Sequence, residues 1–396
     1  MATYDFSDLV GDESKFFEEY FNVKPLLRQS AISGDLRKIL SIRELDELLH
    51  LEVIRPPYIK ANLGGEGVPE IGYTRNVVIQ GVTVTDVVDP EKVYSLYRAG
   101  ATLTWCSLNQ VTPALRSFTR IISEKMAVRT DSVAFLTPAG KKGYLPHHDP
   151  VDLFIVQLEG SKAWRLWNPG DNRLGTAAGY TEEDLGEPAI ETVLRPGDVL
   201  YLPYGTPHAA AAQEEASLHL SIMMRPRRWQ DLLMETVEQV AASPEFYDYP
   251  HIGAARTTAA ADAFRAKISL LAAKLAELDV AAELDRLAEV GRRLPGSSSG
   301  HTFESITAAE NLGAGSSLRR TAKKLDFGPS VSGKVELSVD GGKVVIPVPL
   351  ADRLAALSAD TPVPASRVLL EAPPERSVKV ARALVRAGVL EVVPGA

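Results

Sequence analysis

The spacing of apolar residues divides the first two thirds of the chain into stretches of different character. Up to about residue 125, apolar side chains recur three and four positions apart in SKFFEEYF, RELDELLHL and EKVYSLYRAG, which predicts amphipathic helices. From Ser132 to about Arg225 the pattern changes to short apolar runs interrupted by Gly and Pro. Such short, evenly spaced strands predict a compact antiparallel β-barrel or sandwich.

Helical spacing returns after Arg225, first in WQDLLMETVEQVAAS and then in a longer segment from about Ala259 to Leu294. In that segment an apolar seam is formed by Phe264, Ile268, Leu271, Leu275 and Leu278. Steps of four and three suit packing against another helix. The partner is either a helix of a second copy or a helix of the same chain, and the spacing favours neither.

The segment LPGSSSGHTFES, from Leu294 to Ser305, is rich in Gly and Ser and predicts a linker before a small C-terminal domain. Within that domain, KVELSVDGGKVVIPV is a hairpin pattern with a Gly-Gly turn. Two helical patterns and a last strand follow, an order that predicts a winged-helix-like fold. Its Lys and Arg residues are scattered among Glu and Asp, which disfavours DNA recognition.

Length, composition, charge and cysteine count exclude several classes of protein. A length of 396 residues predicts two or three domains, and 45% hydrophobic with 24% charged residues is typical of folded chains without disorder. The formal charge of −8 argues against general adhesion to nucleic acid or anionic membranes. The single cysteine, Cys106, excludes an internal disulfide and a cysteine-rich metal site. With neither a signal-peptide pattern nor a long apolar run, we expect a cytoplasmic protein.

The chemistry is concentrated in GYLPHHDPVDLFIVQLEGSKAWRLWNP and the later LRPGDVLYLPYGTPHAA. On a strand, alternate side chains share a face, so His147 and Asp149 point the same way and His148 points away. A second strand ending at the LYLPYGTPH turn can bring His208 beside them. Two imidazoles and one carboxylate on one side of an ion leave the other positions open, as in non-haem Fe(II) oxygenases. The ligand types alone also admit Zn²⁺ or Mn²⁺.

These segments resemble a known family. Residues from Leu136 to Pro169, with PGDVLYLPYGTPH, are similar to the JmjC-type cupin proteins that include the ribosomal oxygenases. FFEEYFNVKPLL and GATLTWCSLNQVTPALRSF are similar to the family's earlier segments. The resemblance implies an α+β fold: a double-stranded β-helix (jelly-roll) barrel with flanking helices, a helical dimerisation region and a winged-helix-like domain. We place these parts at 1–228, 229–300 and 301–396.

The resemblance also implies site residues and cofactors. The family's iron ligands correspond to His147, Asp149 and His208, and Fe(II), 2-oxoglutarate and O2 are the implied cofactor and co-substrates. The basic residue for the distal carboxylate of 2-oxoglutarate corresponds to Lys162, since a dianion needs a cation at its free end. 

Other side chains near these segments have lesser expected roles. Tyr144 and Ser221 could donate hydroxyl hydrogen bonds to a co-substrate carboxylate. His219 shares a strand face with Ser221 and is not expected to bind the metal. Trp164 and Trp167 are expected in the core or the pocket wall.

The implied activity is hydroxylation of a protein or peptide side chain, with an arginine or histidine of a ribosomal protein as the favoured target and a homodimer as the expected assembly. Hydroxylation of a small molecule or natural-product peptide is the alternative enzyme reaction, and histone demethylation is less favoured. A non-catalytic, metal-binding cupin regulator with a DNA-binding tail is the alternative of another class. Turnover of 2-oxoglutarate to succinate separates an enzyme from that regulator.

Overall fold

The computed structural model describes residues 4–141, 143–170, 178–225, 227–249, 258–292, 302–321, 325–339, 342–357 and 361–393. The chain forms two compact units, Met1–Leu294 and Pro295–Ala396. The predicted linker from Leu294 to Ser305 lies, up to residue 301, outside the described residues. Each unit has its own hydrophobic core.

The helices follow the sequence pattern closely in the N-terminal part. Among the described residues the α-helices are α1 (Phe6–Val10), α2 (Glu13–Lys15), α3 (Ile42–Leu49), α4 (Pro90–Arg98), α5 (Pro113–Met126), α6 (Glu182–Leu185), α7 (Trp229–Ala241), α8 (Thr258–Ala276), α9 (Val280–Arg292), α10 (Thr302–Ala309), α11 (Val348–Ala356) and α12 (Pro374–Arg386). A π-helical turn lies at Phe16–Tyr20, and 3₁₀ turns lie at Leu36–Lys38, Glu70–Gly72, Leu108–Gln110, Pro244–Phe246 and Ala365–Arg367.

Capping explains where these helices begin. The Ser41 hydroxyl accepts a hydrogen bond from the Glu44 backbone N–H at 3.1 Å and so starts α3. Asp89 accepts from the N–H groups of Glu91 and Lys92 and starts α4, whose first residue is a proline.

The strands of the first unit include those of the predicted barrel. They are β1 (Leu26–Arg28), β2 (Ile59–Leu63), β3 (Glu66–Gly67), β4 (Thr74–Ile79), β5 (Val82–Val88), β6 (Thr102–Cys106), β7 (Thr130–Thr137), β8 (His147–His148), β9 (Asp152–Glu159), β10 (Lys162–Leu166), β11 (Ala178–Gly179), β12 (Ile190–Leu194), β13 (Val199–Leu202), β14 (His208–Ala212) and β15 (Ser217–Met224). Strands β4 and β5 pair only with each other as a separate ribbon among the described residues.

Two antiparallel sheets form the barrel. The larger has the strand order β1-β13-β9-β15-β7-β6-β2-β3, and the smaller has the order β11-β8-β14-β10-β12. From β7 to β10 and from β12 to β15 the chain alternates between the two sheets, whereas β10, β11 and β12 all lie in the smaller one. This alternation is the double-stranded β-helix, and the predicted fold class is confirmed.

Apolar side chains fill the closed end of the barrel and the outer face of the larger sheet. The inner cluster comprises Val151, Leu153, Ile155, Trp164, Leu166, Leu194, Leu200 and Leu202. On the outer face, Phe118 and Ile122 of α5 lie in the same cluster as Leu220 and Ile222 of β15. The larger sheet is therefore buried on both faces, which explains the continuous apolar runs of β9 and β15.

The helical segment predicted after the barrel is divided at Asp279. Helix α8 ends at Ala276 and α9 begins at Val280. The Asp279 carboxylate accepts hydrogen bonds from the N–H groups of Ala281 and Ala282, so this residue starts a new helix. The helical segment predicted from about Ala259 to Leu294 therefore contains two helices within the described residues.

The second unit contains β16 (Ser317–Arg320), β17 (Asp326–Phe327), β18 (Lys334–Val339), β19 (Gly342–Pro347), β20 (Val363–Pro364) and β21 (Leu390–Val392). Strands β18 and β19 form the predicted hairpin, although its turn at residues 340–341 lies outside the described residues. The two predicted helices are α11 and α12, and the last strand is β21. The winged-helix-like assignment of this unit stays a prediction.

Candidate metal and co-substrate site

Two histidines meet across paired strands of the smaller sheet. Strand β8 pairs with β14 with His147 opposite His208, and the two ring centroids are 4.4 Å apart. Asp149 follows directly after β8, and its Oδ2 lies 3.8 Å from Nε2 of each histidine. One ligand atom from each of the three side chains lies within 4.8 Å of the others. The structure thus brings together the three side chains predicted as ligands.

Backbone carbonyl groups set the protonation of both rings. Nδ1 of His147 lies 2.7 Å from the carbonyl oxygen of Leu145, and Nδ1 of His208 lies 3.0 Å from that of Thr206. A carbonyl oxygen can only accept, so each Nδ1 carries the hydrogen. Each Nε2 then presents its lone pair to the space beside Asp149, which is the tautomer that binds a metal.

Burial favours the same form of His208. Burial first, and then the neighbouring His147, lower the pKa of His208 to about 4. The ring is therefore neutral at pH 7. Two imidazole nitrogens and a carboxylate are a donor set that Fe(II), Mn(II), Co(II) and Zn(II) all accept, so the residues fit the ion that the sequence predicts.

His148 takes a different direction from its neighbours. Its Nδ1 lies 2.6 Å from the Tyr180 hydroxyl, and the side chain is buried. Strand β11 pairs with β8 beside it. His148 thus contacts the segment that covers β8, and it is not part of the three-residue cluster.

Lys162 is a buried cation at the start of β10. Its side chain is 2% exposed, and Nζ donates a hydrogen bond to the Thr137 hydroxyl at 3.2 Å. Among the described residues it forms no ion pair with a carboxylate. Burial lowers the pKa of Lys162 to about 7. A buried ammonium without an anion is costly, so this end of the site suits a negatively charged ligand.

One cavity joins the metal-ligand cluster to Lys162. It is lined by Phe135, Gly143, Tyr144, His147, Asp149, Leu153, Ile155, Lys162, Trp164, His208, Ala210, His219, Ser221 and Met223. All six predicted site residues lie in this wall. A small dianion that chelates the ion at one end can therefore meet Lys162 at the other.

The two hydroxyl groups proposed from the sequence both border the cavity. The Tyr144 hydroxyl lies 2.9 Å from the Thr104 hydroxyl, and burial raises the pKa of Tyr144. Ser221 is buried on β15. Their contact with a co-substrate stays a prediction. Trp164 lies in the cavity wall and in the inner core, as expected.

Sequence reasoning missed Thr137 and underrated His219. Thr137 lies at the end of β7 in the larger sheet and accepts a hydrogen bond from Lys162 of β10 in the smaller sheet, so the contact depends on how the two sheets pack. His219 Nδ1 lies 3.4 Å from Lys162 Nζ. For His219 the sequence did offer a signal, because it shares a strand face with Ser221. For Thr137 no sequence pattern indicated a place in the cavity.

Comparisons with known proteins agree with this geometry. Residues 108–232 match the JmjC domain family. Ribosomal oxygenase 1 of Rattus norvegicus is 37% identical over 150 residues, which cover 36% of this chain and 25% of that protein. The bifunctional lysine-specific demethylase and histidyl-hydroxylase NO66 of Drosophila sechellia is 28% identical over 231 residues, 57% of this chain and 34% of that protein. The chain thus spans about a quarter to a third of the length of these relatives.

A solved structure extends the likeness to both units. The structure of YcfD, a ribosomal oxygenase from Escherichia coli, in complex with cobalt and 2-oxoglutarate, has a TM-score of 0.52 and 18% identity, covering 97% of this chain and 99% of that one. At this identity the likeness concerns the fold. Residues 108–232 are therefore similar to the JmjC domain, and the chain is similar in sequence to the ribosomal oxygenases and shares the fold of YcfD.

Proposed function

We propose that the protein is an Fe(II)- and 2-oxoglutarate-dependent oxygenase that hydroxylates a side chain of a protein or peptide. The observation that supports this most is the shared cavity, with His147, Asp149 and His208 at one end and the buried Lys162 at the other. Neither half alone would specify the chemistry. Together they fit a metal-chelating dianion and leave room beside the ion.

Each residue has a defined task in this proposal. The two Nε2 atoms and the Asp149 carboxylate hold the ion from one side, so that the opposite positions stay open. Lys162 pairs with the distal carboxylate and fixes the orientation of the co-substrate. The buried walls exclude bulk water. When bound, iron with 2-oxoglutarate supplies the oxidation of a C–H bond by O2, with succinate and CO2 as the other products.

The target is the finer part of the proposal. We favour an arginine or histidine of a ribosomal protein, because relatives are named ribosomal oxygenase 1 and histidyl-hydroxylase NO66. A small molecule or natural-product peptide is the alternative substrate, since the same barrel serves many reactions. A non-catalytic metal-binding regulator is the alternative of another class.

A direct test combines two readouts. The Fe(II)-loaded protein is incubated with 2-oxoglutarate, O2 and a panel of ribosomal proteins, and succinate and the masses of the proteins are measured. We expect succinate and the gain of one oxygen atom on one protein. Succinate without any modified ribosomal protein would reject the ribosomal target and keep the oxygenase. No succinate at all would reject the enzyme and leave the regulator.

We further propose that residues 229–300 mediate homodimerisation. Phe264 and Ile268 of the predicted seam are 67% and 52% exposed, and Trp229 of α7 is 73% exposed. Large apolar side chains clustered on exposed helices are typical of protein interfaces. Among the described residues, none of the helices combines the length and the apolar character that a membrane crossing requires.

A further inference from the structure

His219 lies in the cavity wall in a tightly fixed orientation. It is 3% exposed, and its ring stacks on Phe135 with centroids 4.8 Å apart and planes at 7°. Trp164 packs edge-on against the same ring at 5.4 Å and 80°. These two contacts leave the imidazole little freedom to rotate, so its two nitrogens point in set directions.

The contact with Lys162 decides which nitrogen carries the hydrogen when Lys162 is charged. Nδ1 of His219 lies 3.4 Å from Lys162 Nζ. In the ammonium form, which a bound carboxylate favours, Lys162 has only hydrogens to offer, so Nδ1 must accept, and the hydrogen of the neutral ring is on Nε2. Burial, followed by the charges of Lys162 and His208, lowers the pKa of His219 well below its ordinary value, which keeps the ring neutral.

The Nε2–H group of His219 is therefore a fixed donor. It has no protein acceptor among the described residues, although the residue lines the cavity. Because the residue lines the cavity and is otherwise buried, a ligand acceptor in the cavity would complete the hydrogen bonding of this donor. The neighbouring Lys162 ammonium makes a carboxylate the matching acceptor.

We propose that His219 is a second co-substrate-binding residue, whose Nε2–H donates to the distal carboxylate that pairs with Lys162. The inference rests on the proposed function, since it needs a dicarboxylate in the cavity. The Lys162 ammonium and the His219 ring act as a pair: the first supplies charge and fixes the tautomer of the second, which supplies a directed neutral donor.

Three substitutions at this position separate the proposed role from two others. His219→Gln keeps an amide near the place of Nε2, His219→Asn keeps one only near the place of Nδ1, and His219→Phe keeps only the aromatic packing. The dissociation constant of 2-oxoglutarate is measured by calorimetry on the Mn(II)-loaded full chain without O2. The surface variant His50→Gln serves as the control, because His50 contacts the Tyr94 hydroxyl away from the cavity.

We expect the Phe and Asn variants to bind 2-oxoglutarate about tenfold to a hundredfold more weakly, and the Gln variant to stay within about threefold of the wild type. Pyruvate lacks the distal carboxylate, so its affinity should be the same in all four proteins. Wild-type affinity in the Phe variant would overturn the proposal. Retained affinity in the Asn variant with loss in the Gln variant would overturn it as well, because the role would then be to anchor Lys162 through Nδ1.

A second readout needs no substitution in the protein under test. In wild-type protein with ¹⁵N-labelled histidine and bound Zn(II), 2-oxoglutarate should move the His219 Nε2–H proton resonance downfield, as expected for a new charge-assisted hydrogen bond. The Gln variant assigns the resonance. If calorimetry shows that 2-oxoglutarate binds but the His219 Nε2–H resonance does not move, the proposed role of His219 is overturned and the proposed function stays intact. No binding of 2-oxoglutarate by the wild type would instead reject the proposed function and this inference with it.

Discussion

Lys162 makes co-substrate binding depend on pH in a way that the structure specifies. Without ligand, burial lowers the pKa of Lys162 from its ordinary value of 10.5 to about 7, whereas a bound carboxylate favours the ammonium form. Below this pKa the ammonium is already present, and binding takes up no proton at this residue. Above it, binding must take up a proton, so the dissociation constant of 2-oxoglutarate should rise by up to about tenfold per pH unit.

The assay is calorimetric titration of 2-oxoglutarate into the Mn(II)-loaded protein without O2, from about pH 6 to about pH 9, a range in which both carboxylates stay ionised. Lys162→Arg should flatten the curve, because the guanidinium keeps its charge throughout. Lys162→Met should weaken binding by about tenfold to a hundredfold at the low end of the range and also remove the slope.

Pyruvate separates this effect from any pH dependence of the metal ligands. It shares the metal-chelating end of 2-oxoglutarate, so its affinity reports the ligands without Lys162. The reasoning would be refuted if 2-oxoglutarate and pyruvate showed the same pH dependence in the wild type. It would also be refuted if the slope survived in the Met variant.

Three further predictions concern other parts of the molecule. His208→Ala or Asp149→Ala should abolish succinate formation and lower Mn(II) affinity without loss of the folded circular-dichroism spectrum, because the ligands lie at strand ends; turnover near the wild-type level in either would exclude the assigned site. Tyr144→Phe and Ser221→Ala should each raise the Michaelis constant for 2-oxoglutarate about threefold to tenfold, which is the effect of losing one hydrogen bond. An unchanged Michaelis constant would show that the hydroxyl in question does not bind 2-oxoglutarate. Phe264→Glu should convert a dimer to a monomer in light scattering, and a wild-type monomer would contradict the proposed interface.

The metal-ligand cluster was predictable because its local part depends on strand alternation. His147 and Asp149 are two positions apart, and any extended chain puts them on one face. His208 required more, namely that β14 pairs with β8 in a register that sets it opposite His147. That register follows from the barrel, so it entered the prediction through the family resemblance and not through spacing alone.

The features that the sequence did not predict include contacts between strands that are distant in the chain. The hydrogen bond from Lys162 to Thr137 joins different sheets, and nothing in either segment indicates the other. The break at Asp279 was hidden for another reason: the apolar spacing continues across it, and the capping role of one aspartate is a weak signal beside a long seam. Periodicity thus located the helices better than it located their ends.

The central claim is that His147, Asp149 and His208 hold an iron ion that 2-oxoglutarate then chelates. Its most direct test is the visible absorption spectrum of the protein with Fe(II) and 2-oxoglutarate in the absence of O2. Chelation of Fe(II) by a 2-oxo acid gives a metal-to-ligand charge-transfer band, and we predict this band in the wild type with both additions and its absence in His208→Ala. A folded wild-type protein that shows no such band would contradict the account.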